Sequence, residues 1–358
     1  MSRDPATPRV SIVLATFNRP ASLERLIRQL GDQDLPPDRF EVIVVDDGSE
    51  PPAAEVLEGL DLPCPVILLR QPNRGAAAAR HRGALEARGE VIVFTDDDMQ
   101  VGPGFLSAHE ALHVPGSRRV VVGRIHPSPR LDERPLFERF HARGHDRGGD
   151  RPLHGDAVCT GNVSMRRADY LEIGGFDATL EQLEDADLGL RLEQAGAEVV
   201  FSEDASTTHD SDQDHFVAWR SKAVRYGRHG VRLARKHPGL LNADSWRFFF
   251  GNALAKRPVV TAGLVAPGLA RWLGDLVQRS AIAADRLGLE RVALSAASLL
   301  WDLEHFRGVR EELGSLGATL RSCGEFLERA EEAETPVPGV GPVSVALGRV
   351  LRALLPVG

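Results

Sequence analysis

VIVFTDDD, residues 91–98, runs Val, Ile, Val, Phe and Thr straight into three consecutive Asp. An apolar run of strand length that stops at turn-forming acids reads as a strand covered on both faces. Three upstream segments share that form: VSIVLAT (10–16), FEVIVVDD (40–47) and PVILLRQ (65–71). Between them, ASLERLIRQLGDQ (21–33) places Leu23, Leu26, Ile27 and Leu30 on one helical face, and GAAAARHRGALEARG (75–89) is a strong helix former that ends at glycine. Alternating strands and helices predict an α/β fold, a Rossmann-like, mostly parallel sheet flanked by helices. Ligands are then expected outside the carboxyl ends of the strands.

Downstream the pattern changes. Residues 113–160 have weak periodicity, and RGHDRGGDRPLHGD (143–156) reads as a mobile loop. GNVSMRR (161–167) and GGFD (174–177) follow, then a helix over 183–196 and a strand, AEVVFS, over 197–202. From Asp212 the periodicity is helical over 215–236, 245–256, 268–288 and 290–330, with VSVALGRVLRALL as a final amphipathic helix. A boundary near 212 is expected, dividing the chain into a ligand-binding and catalytic domain, 1–212, and a C-terminal α-helical domain, 213–358.

The 358 residues are 42% hydrophobic and 26% charged, ample for such a pair of globular domains. A formal charge of −8 argues against a general nucleic-acid binder, which needs a cationic face. Cys64, Cys159 and Cys323 are far apart and show no paired spacing, so a reducing cytoplasm is the expected compartment. No apolar run reaches the length of a membrane span.

The chemistry should lie at the acidic strand ends. Asp46, Asp47, Gly48 and Ser49 also form an ordinary turn sequence, in which Asp caps backbone amides. In an extended segment Asp96 and Asp98 project to one side and Asp97 to the other. Three adjacent carboxylates repel, and a hard cation, Mg²⁺ or Mn²⁺, would relieve them, with substrate phosphates completing its shell. The alternative is a solvated acidic turn. Arg74, Arg80 and Arg82 can neutralise phosphates or simply stand in solvent on a helix. Glu184 and Asp185 open a helix, where acids suit the macrodipole, or where a general base is held rigidly. His209 is a candidate imidazole ligand.

TFNRP (16–20), VVDDGS (44–49), NRGAAAAR (73–80), TDDD (95–98), GNVSMRR, GGFD and EDADLGLRL (184–192) occur in the order and spacing of family 2 glycosyltransferases, which have the GT-A fold. The chain resembles that family from residue 9 to about 210. The resemblance implies roles. Thr16 and Asn18 line the nucleotide, Asp47 meets the base or ribose with Asp46 beside it, and Arg80 contacts the nucleotide. Asp96 and Asp98 match the outer acids of the Asp-x-Asp motif, the latter holding the metal on the diphosphate, and His209 completes the metal shell. Gly161 and Asn162 line the donor-sugar pocket. Asp185 is the catalytic base, with Glu184 its neighbour. Relatives often have Asn where this chain has His81.

The implied function is metal-dependent, inverting transfer of a sugar from a nucleotide diphosphate donor to an acceptor hydroxyl. The choice of a UDP-sugar rests on the resemblance alone. A sugar nucleotidyltransferase shares the sheet and the acids but leaves the Glu184–Asp185 helix unexplained. A non-catalytic nucleotide-sugar-binding or scaffold protein fits the fold but would not slowly hydrolyse donor. Residues 215–236 carry seven Lys or Arg and no acid beside Phe216, Trp219 and Val224. That segment reads as a peripheral contact with the inner face of the membrane, as a basic cover for the donor's phosphates or an acidic acceptor, or as a packing helix with solvated arginines.

Overall fold

The computed structural model describes residues 7–144, 153–210, 215–334 and 336–354. They belong to two compact units, Met1–Glu133 with His141–Gln213, and Arg134–Phe140 with Asp214–Gly358. The boundary expected near 212 and most of the loop expected at 143–156 lie outside the described residues.

The first unit carries the strands β1 (Val10–Thr16), β2 (Phe40–Asp46), β3 (Val66–Arg70), β4 (Val91–Asp96), β5 (Met99–Val101), β6 (Arg119–Pro127), β7 (Asn162–Arg166) and β8 (Glu198–His209). Among the described residues they form one sheet in the order β3-β2-β1-β4-β7-β6-β8-β5. β1 pairs in parallel with β2 and β4, β2 with β3, and β6 with β8. β7 runs antiparallel to both β4 and β6, and β5 antiparallel to β8.

Strand alternation sends Ile12 and Leu14 to one face and Val13 to the other. Both faces are covered. Leu23, Leu26, Ile27 and Leu30 of the Pro20–Gly31 helix cover the first, as their helical spacing predicts. Phe94, Tyr170, Leu188 and Leu192 cover the second. The α/β architecture with flanking helices is as expected.

Local boundaries differ in ways that matter for the site. VIVFTDDD is not one strand: β4 stops at Asp96, Asp97 and Asp98 form a turn, and the chain re-enters the sheet as β5. The expected strand over 197–202 continues to His209 because β6 and β5 flank it with hydrogen bonds along its length. The weakly periodic stretch after 113 contains β6, whose RVVVGR run gains its cover from β7 and β8 and not from its own pattern.

The second unit holds the helices Phe216–Lys236, Trp246–Gly251, Arg257–Val265, Pro267–Arg286, Glu290–Leu313, Leu316–Glu332 and Pro342–Leu354. The single helical stretch expected at 290–330 breaks at Gly314, whose φ of 78° is the left-handed conformation that glycine adopts without strain.

The membrane reading of 215–236 does not survive. The helix lies against Glu290–Leu313 so closely that a Cβ on Gly227 would stand 1.9 Å from the His305 carbonyl oxygen. A Cβ on Gly308 would stand 2.1 Å from that of Val224. Trp219 is fully buried. Arg220, Arg228 and Arg232 donate to Glu304, Glu311 and Glu312 at 2.6, 2.6 and 3.0 Å. The apolar face is thus packed, and three of the seven basic residues are paired with acids of a neighbouring helix. No helix among the described residues is long and apolar enough to cross a membrane.

Candidate active site

The chain runs from β1 to β2 and β3 on one side of the sheet, then returns to place β4 on the other side of β1. A reversal of this kind opens a crevice at the carboxyl ends of the two strands it separates. Those ends are Thr16 and Asp96, and β1 and β4 are in register with Ala15 opposite Asp96. The loop after β1 and the turn after β4 close on one another there. Thr16 Oγ1 donates to Asp97 Oδ2 at 2.7 Å, and Arg19 Nη1 donates to Asp97 Oδ1 and Asp98 Oδ2 at 2.9 Å each.

Because the backbone turns at 97–98, the expected alternation fails: Asp97 and Asp98 share Arg19, whereas Asp96 points to a different arginine. Burial pushes Asp97 up to about 6 against the opposing pull of Arg19 and Thr16. Burial also acts upward on Asp98, but hydrogen bonding and charge from His209, with Arg19, outweigh it and hold that carboxyl well below the usual range.

His209 reaches this turn through the sheet. It ends β8 opposite Met99 of β5, and the Asp210 amide donates to the Asp98 carbonyl at 2.9 Å. Its Nε2 lies 3.6 Å from Asp98 Oδ2. Asp98 Oδ1 is buried and has no hydrogen-bond partner among the described residues. Among the described residues no set of three or more His, Cys, Asp or Glu converges as a complete metal cage. A buried, unsatisfied carboxylate oxygen beside an imidazole does fit a hard divalent cation that takes its remaining ligands from phosphate.

A second constellation lies across the carboxyl end of β4. The buried Arg80 of the Ala76–Glu86 helix joins Asp96 through Nη2 and Glu184 Oε1 through Nη1, the latter at 3.3 Å. Burial opposes the Arg80 charge, but Asp96 and Glu184 more than restore it and raise its pKa. Glu184 is pushed up to about 7 by burial and by Asp185, with Arg80 pulling the other way.

Glu184 and Asp185 open the Glu184–Gln194 helix, entered through Leu183 in the left-handed region at φ 63°. Asp185 Oδ1 accepts from the Ala186 amide at 2.8 Å. The helix is fixed in place by Arg191, which donates to Asp187 at 2.8 Å and to the carbonyls of Ile173 and Gly175 at 2.9 and 2.5 Å.

The loops after β1, β2 and β3 are tied together. The Asn18 amide donates to Ser49 Oγ at 3.0 Å, and Asn18 Oδ1 accepts from the Glu50 amide at 2.8 Å. Asp46 spends both oxygens on its own turn, accepting from the Ser49 and Ala53 amides at 2.7 and 3.1 Å. Asp47 reaches across instead: Oδ1 accepts from Gln71 Nε2 and the Arg74 amide, and Oδ2 from the Gly75 amide, all within 2.9 Å.

The 161–162 segment needs correction. Asn162 is fully buried, and its Nδ2 donates to the carbonyls of Arg124 and Ala205 at 2.9 and 2.8 Å, so its side chain stitches β7 to β6 and β8. With both amide hydrogens so used, its Oδ1 accepts from His109 Nε2 at 2.9 Å. His109 Nδ1 must then accept from Ser164 Oγ at 2.8 Å, and Ser164 Oγ from His113 Nε2 at 2.7 Å. Burial lowers His109 to about 4 and His113 to about 3. What this segment presents toward Asp96 is the backbone of Gly161, where a Cβ would come within 3.4 Å of Asp96 Oδ2 and 2.6 Å of Met99 Cε.

Sequence reasoning passed over Arg19 and Gln71, although Arg19 stands inside the TFNRP motif. It noted His81 only as a departure. His81 Nδ1 meets the Tyr170 hydroxyl at 2.8 Å, and that hydroxyl accepts from the Phe176 amide at 3.3 Å, so His81 supports the segment that leads into the Glu184 helix.

The family model for glycosyl transferase family 2 matches residues 11–174. The uncharacterized glycosyltransferase YwdF of Bacillus subtilis (strain 168) is 37% identical over 188 residues, 51% of this chain and 67% of that protein. The chain belongs to glycosyl transferase family 2. Validoxylamine A glucosyltransferase of Streptomyces hygroscopicus subsp. limoneus is 28% identical over 294 residues, 70% of this chain and 62% of that protein, so the match spans less than two thirds of that relative's length. Among solved structures, mannosyltransferase PcManGT from Pyrobaculum calidifontis aligns with a TM-score of 0.55 at 19% identity, covering 84% of this chain and 88% of that one. S. aureus TarS 1-349 aligns with a TM-score of 0.52 at 17% identity, covering 85% and 90%. These likenesses establish the GT-A fold for this family 2 chain.

Proposed function

We propose that this protein transfers a sugar from a nucleotide diphosphate donor, with UDP-sugars the first choice, to an acceptor hydroxyl with inversion at the anomeric carbon. The observation that carries the reading is the pair of constellations at one strand end. On one side stand Asp98 with its unsatisfied buried oxygen and His209; on the other, Arg80 links Asp96 to the helix of Glu184 and Asp185. PcManGT was solved with GDP-Man and Mn²⁺, and TarS 1-349 with UDP-GlcNAc, which supports a nucleotide sugar here.

Asp98 and His209 would hold Mn²⁺ or Mg²⁺. Bound there, the ion supplies Lewis-acid neutralisation of charge growing on the departing diphosphate. The nucleotide lies along the tied loops of Thr16, Asn18 and Asp47, where Asp47 Oδ2 keeps a second lone pair for base or ribose. Arg19 and Arg80 add positive charge at the two acid clusters, and Gly161 leaves room for a sugar beside Asp96.

The acceptor hydroxyl is a poor nucleophile until its proton is taken, and Asp185 is the group assigned to take it. Its rigid helix start fixes the direction of approach, and direct attack opposite the leaving group inverts the sugar. Glu184, held near neutrality in its pKa, keeps a second negative charge away from Asp185 below that pH.

The test is donor turnover. Purified protein is incubated with UDP-sugars and GDP-mannose, with and without Mn²⁺, and released sugar is followed by NMR. Slow metal-dependent hydrolysis with inverted configuration is expected. Binding of a nucleotide sugar with no turnover on any donor or acceptor would favour a binding module instead.

A further inference from the structure

The membrane-facing role that fails for Phe216–Lys236 reappears, on different evidence, at the Pro267–Arg286 helix. Leu269, Trp272 and Leu276 recur at steps of three and four residues, which place them on one face of it, and Leu287 follows at its C-terminal end. All four are exposed, Trp272 to 61% and Leu287 to 73%. The helix has 20 residues, about 30 Å, and Leu269, Trp272 and Leu276 occupy its N-terminal half. Scattered exposed apolar residues need no explanation, but a one-sided row that includes a tryptophan does.

Charge is the second observation. Arg271 and Arg286 each precede one of these residues by one position, Arg279 follows Asp275 by one helical turn, and all three arginines are exposed. None makes an ion pair with the described residues. The acids of the same helix are engaged elsewhere: Asp275 pairs with Arg220 at 2.7 Å, and Asp285 pairs with Arg139. A chain of net charge −8 thus presents here an apolar row bordered by three exposed arginines, of which Arg279 stands close enough to Asp275 to lower its pKa.

We propose that this face is a docking surface for an anionic lipid bilayer, with the helix lying in the interface plane. The geometry is that of an interfacial amphipathic helix: an apolar row, a tryptophan within it and arginines at its edge. A second copy of this chain is a poorer occupant, since Asp275, the acid beside the row, is already paired with Arg220.

Trp272 supplies its own readout, because Trp219 and Trp246 are buried and Trp301 is half-buried. The full chain is sedimented with vesicles of phosphatidylcholine alone and of phosphatidylcholine mixed with phosphatidylglycerol, at low and high salt. Sedimentation only with the mixed vesicles, weakened by salt and accompanied by a blue shift of tryptophan emission that Trp272→Phe removes, is expected. Arg271→Ser/Arg279→Ser/Arg286→Ser should weaken partitioning by roughly fivefold per arginine, on the order of 100-fold in all. Leu269→Ser/Leu276→Ser should abolish it, with melting temperature unchanged because these side chains are exposed. No sedimentation with anionic vesicles overturns the proposal, as does sedimentation that both variants retain. Self-association that Leu269→Ser/Leu276→Ser dissolves, without vesicle binding, overturns it in favour of a second copy.

Discussion

Arg80 holds Asp96 and Glu184 with the two ends of one guanidinium, tying the acid that ends β4 to the acid that opens the Glu184–Gln194 helix. Lysine cannot reproduce this, because a single ammonium offers no planar fork. Arg80→Ala should cost roughly 3 kcal/mol in urea unfolding, at the low end for a broken buried pair because Asp96 is partly exposed. Arg80→Lys should recover little of it. A loss under about 0.5 kcal/mol would mean that the bridge is not formed in solution.

Asp185→Asn preserves size while removing the base. Transfer should fall by at least about 10²-fold with nucleotide affinity nearly unchanged. Asp98→Ala should instead weaken metal-supported donor binding as well as rate. If Asp185 merely caps its helix, the Asn variant should lose about 0.3–1 kcal/mol of stability and keep its turnover.

Glu184 gives stability a pH signature. Its folded pKa, about 7, lies above the ordinary 4.5, so between those values the folded chain binds more proton than the unfolded one. Stability from this group is therefore present at low pH and is lost as pH rises from 4.5 toward 7. Melting curves of wild type and Glu184→Gln, subtracted across that window, should show the difference. Parallel curves would refute the shift.

The His109–Ser164–His113 chain acts with the opposite sign. Both imidazoles are held neutral, at about 4 and about 3 against 6.5 unfolded, so the unfolded chain binds more proton below 6.5. Stability falls as pH drops from 6.5 toward 4. The fixed tautomers explain why: a proton added to His109 Nδ1 abolishes the acceptor that Ser164 needs. His109→Gln should flatten the acid limb of the stability profile while lowering its plateau.

A glycine in mid-helix is usually improved by alanine, by about 1 kcal/mol. Gly227→Ala should do the reverse, because its Cβ would meet the His305 carbonyl. A loss of about 1–3 kcal/mol, the usual range for overpacking, is expected. A gain would show that the two helices do not touch as described.

Much of this architecture is legible in the residues. The four strands of the parallel half announce themselves because all are apolar almost throughout, three of them being buried on both faces and β3 half-buried at the sheet's edge. Their ends locate Thr16, Asp47 and Asp96 without further information. β6 and the outer half of β8 stayed hidden since their cover comes from each other and from β7, a tertiary property that leaves no period in the chain. Reading 96–98 as extended also misassigned the sides of three carboxylates, because one turn cannot be told from strand by composition. Asn162 looked like a site residue for the same reason it is a structural one: an amide is as useful for stitching strands as for binding sugar. The basic face of 215–236 was read correctly as basic and wrongly as free, since its acidic partners lie some 80 residues later.

The pairing of Met99 with His209 sets an order of events for the newborn chain. Residues 10–96 hold β1 to β4 and all their mutual pairings, the farthest from Val10 to Val91, and with them the loops of Thr16, Asn18 and Asp47. The imidazole beside Asp98 arrives only after β8 has threaded between β6 and β5, a closure across more than a hundred residues. Such distant pairings form late. A nascent chain therefore acquires the loops assigned to the nucleotide well before it acquires His209, and biosynthesis itself separates the two halves of the site in time.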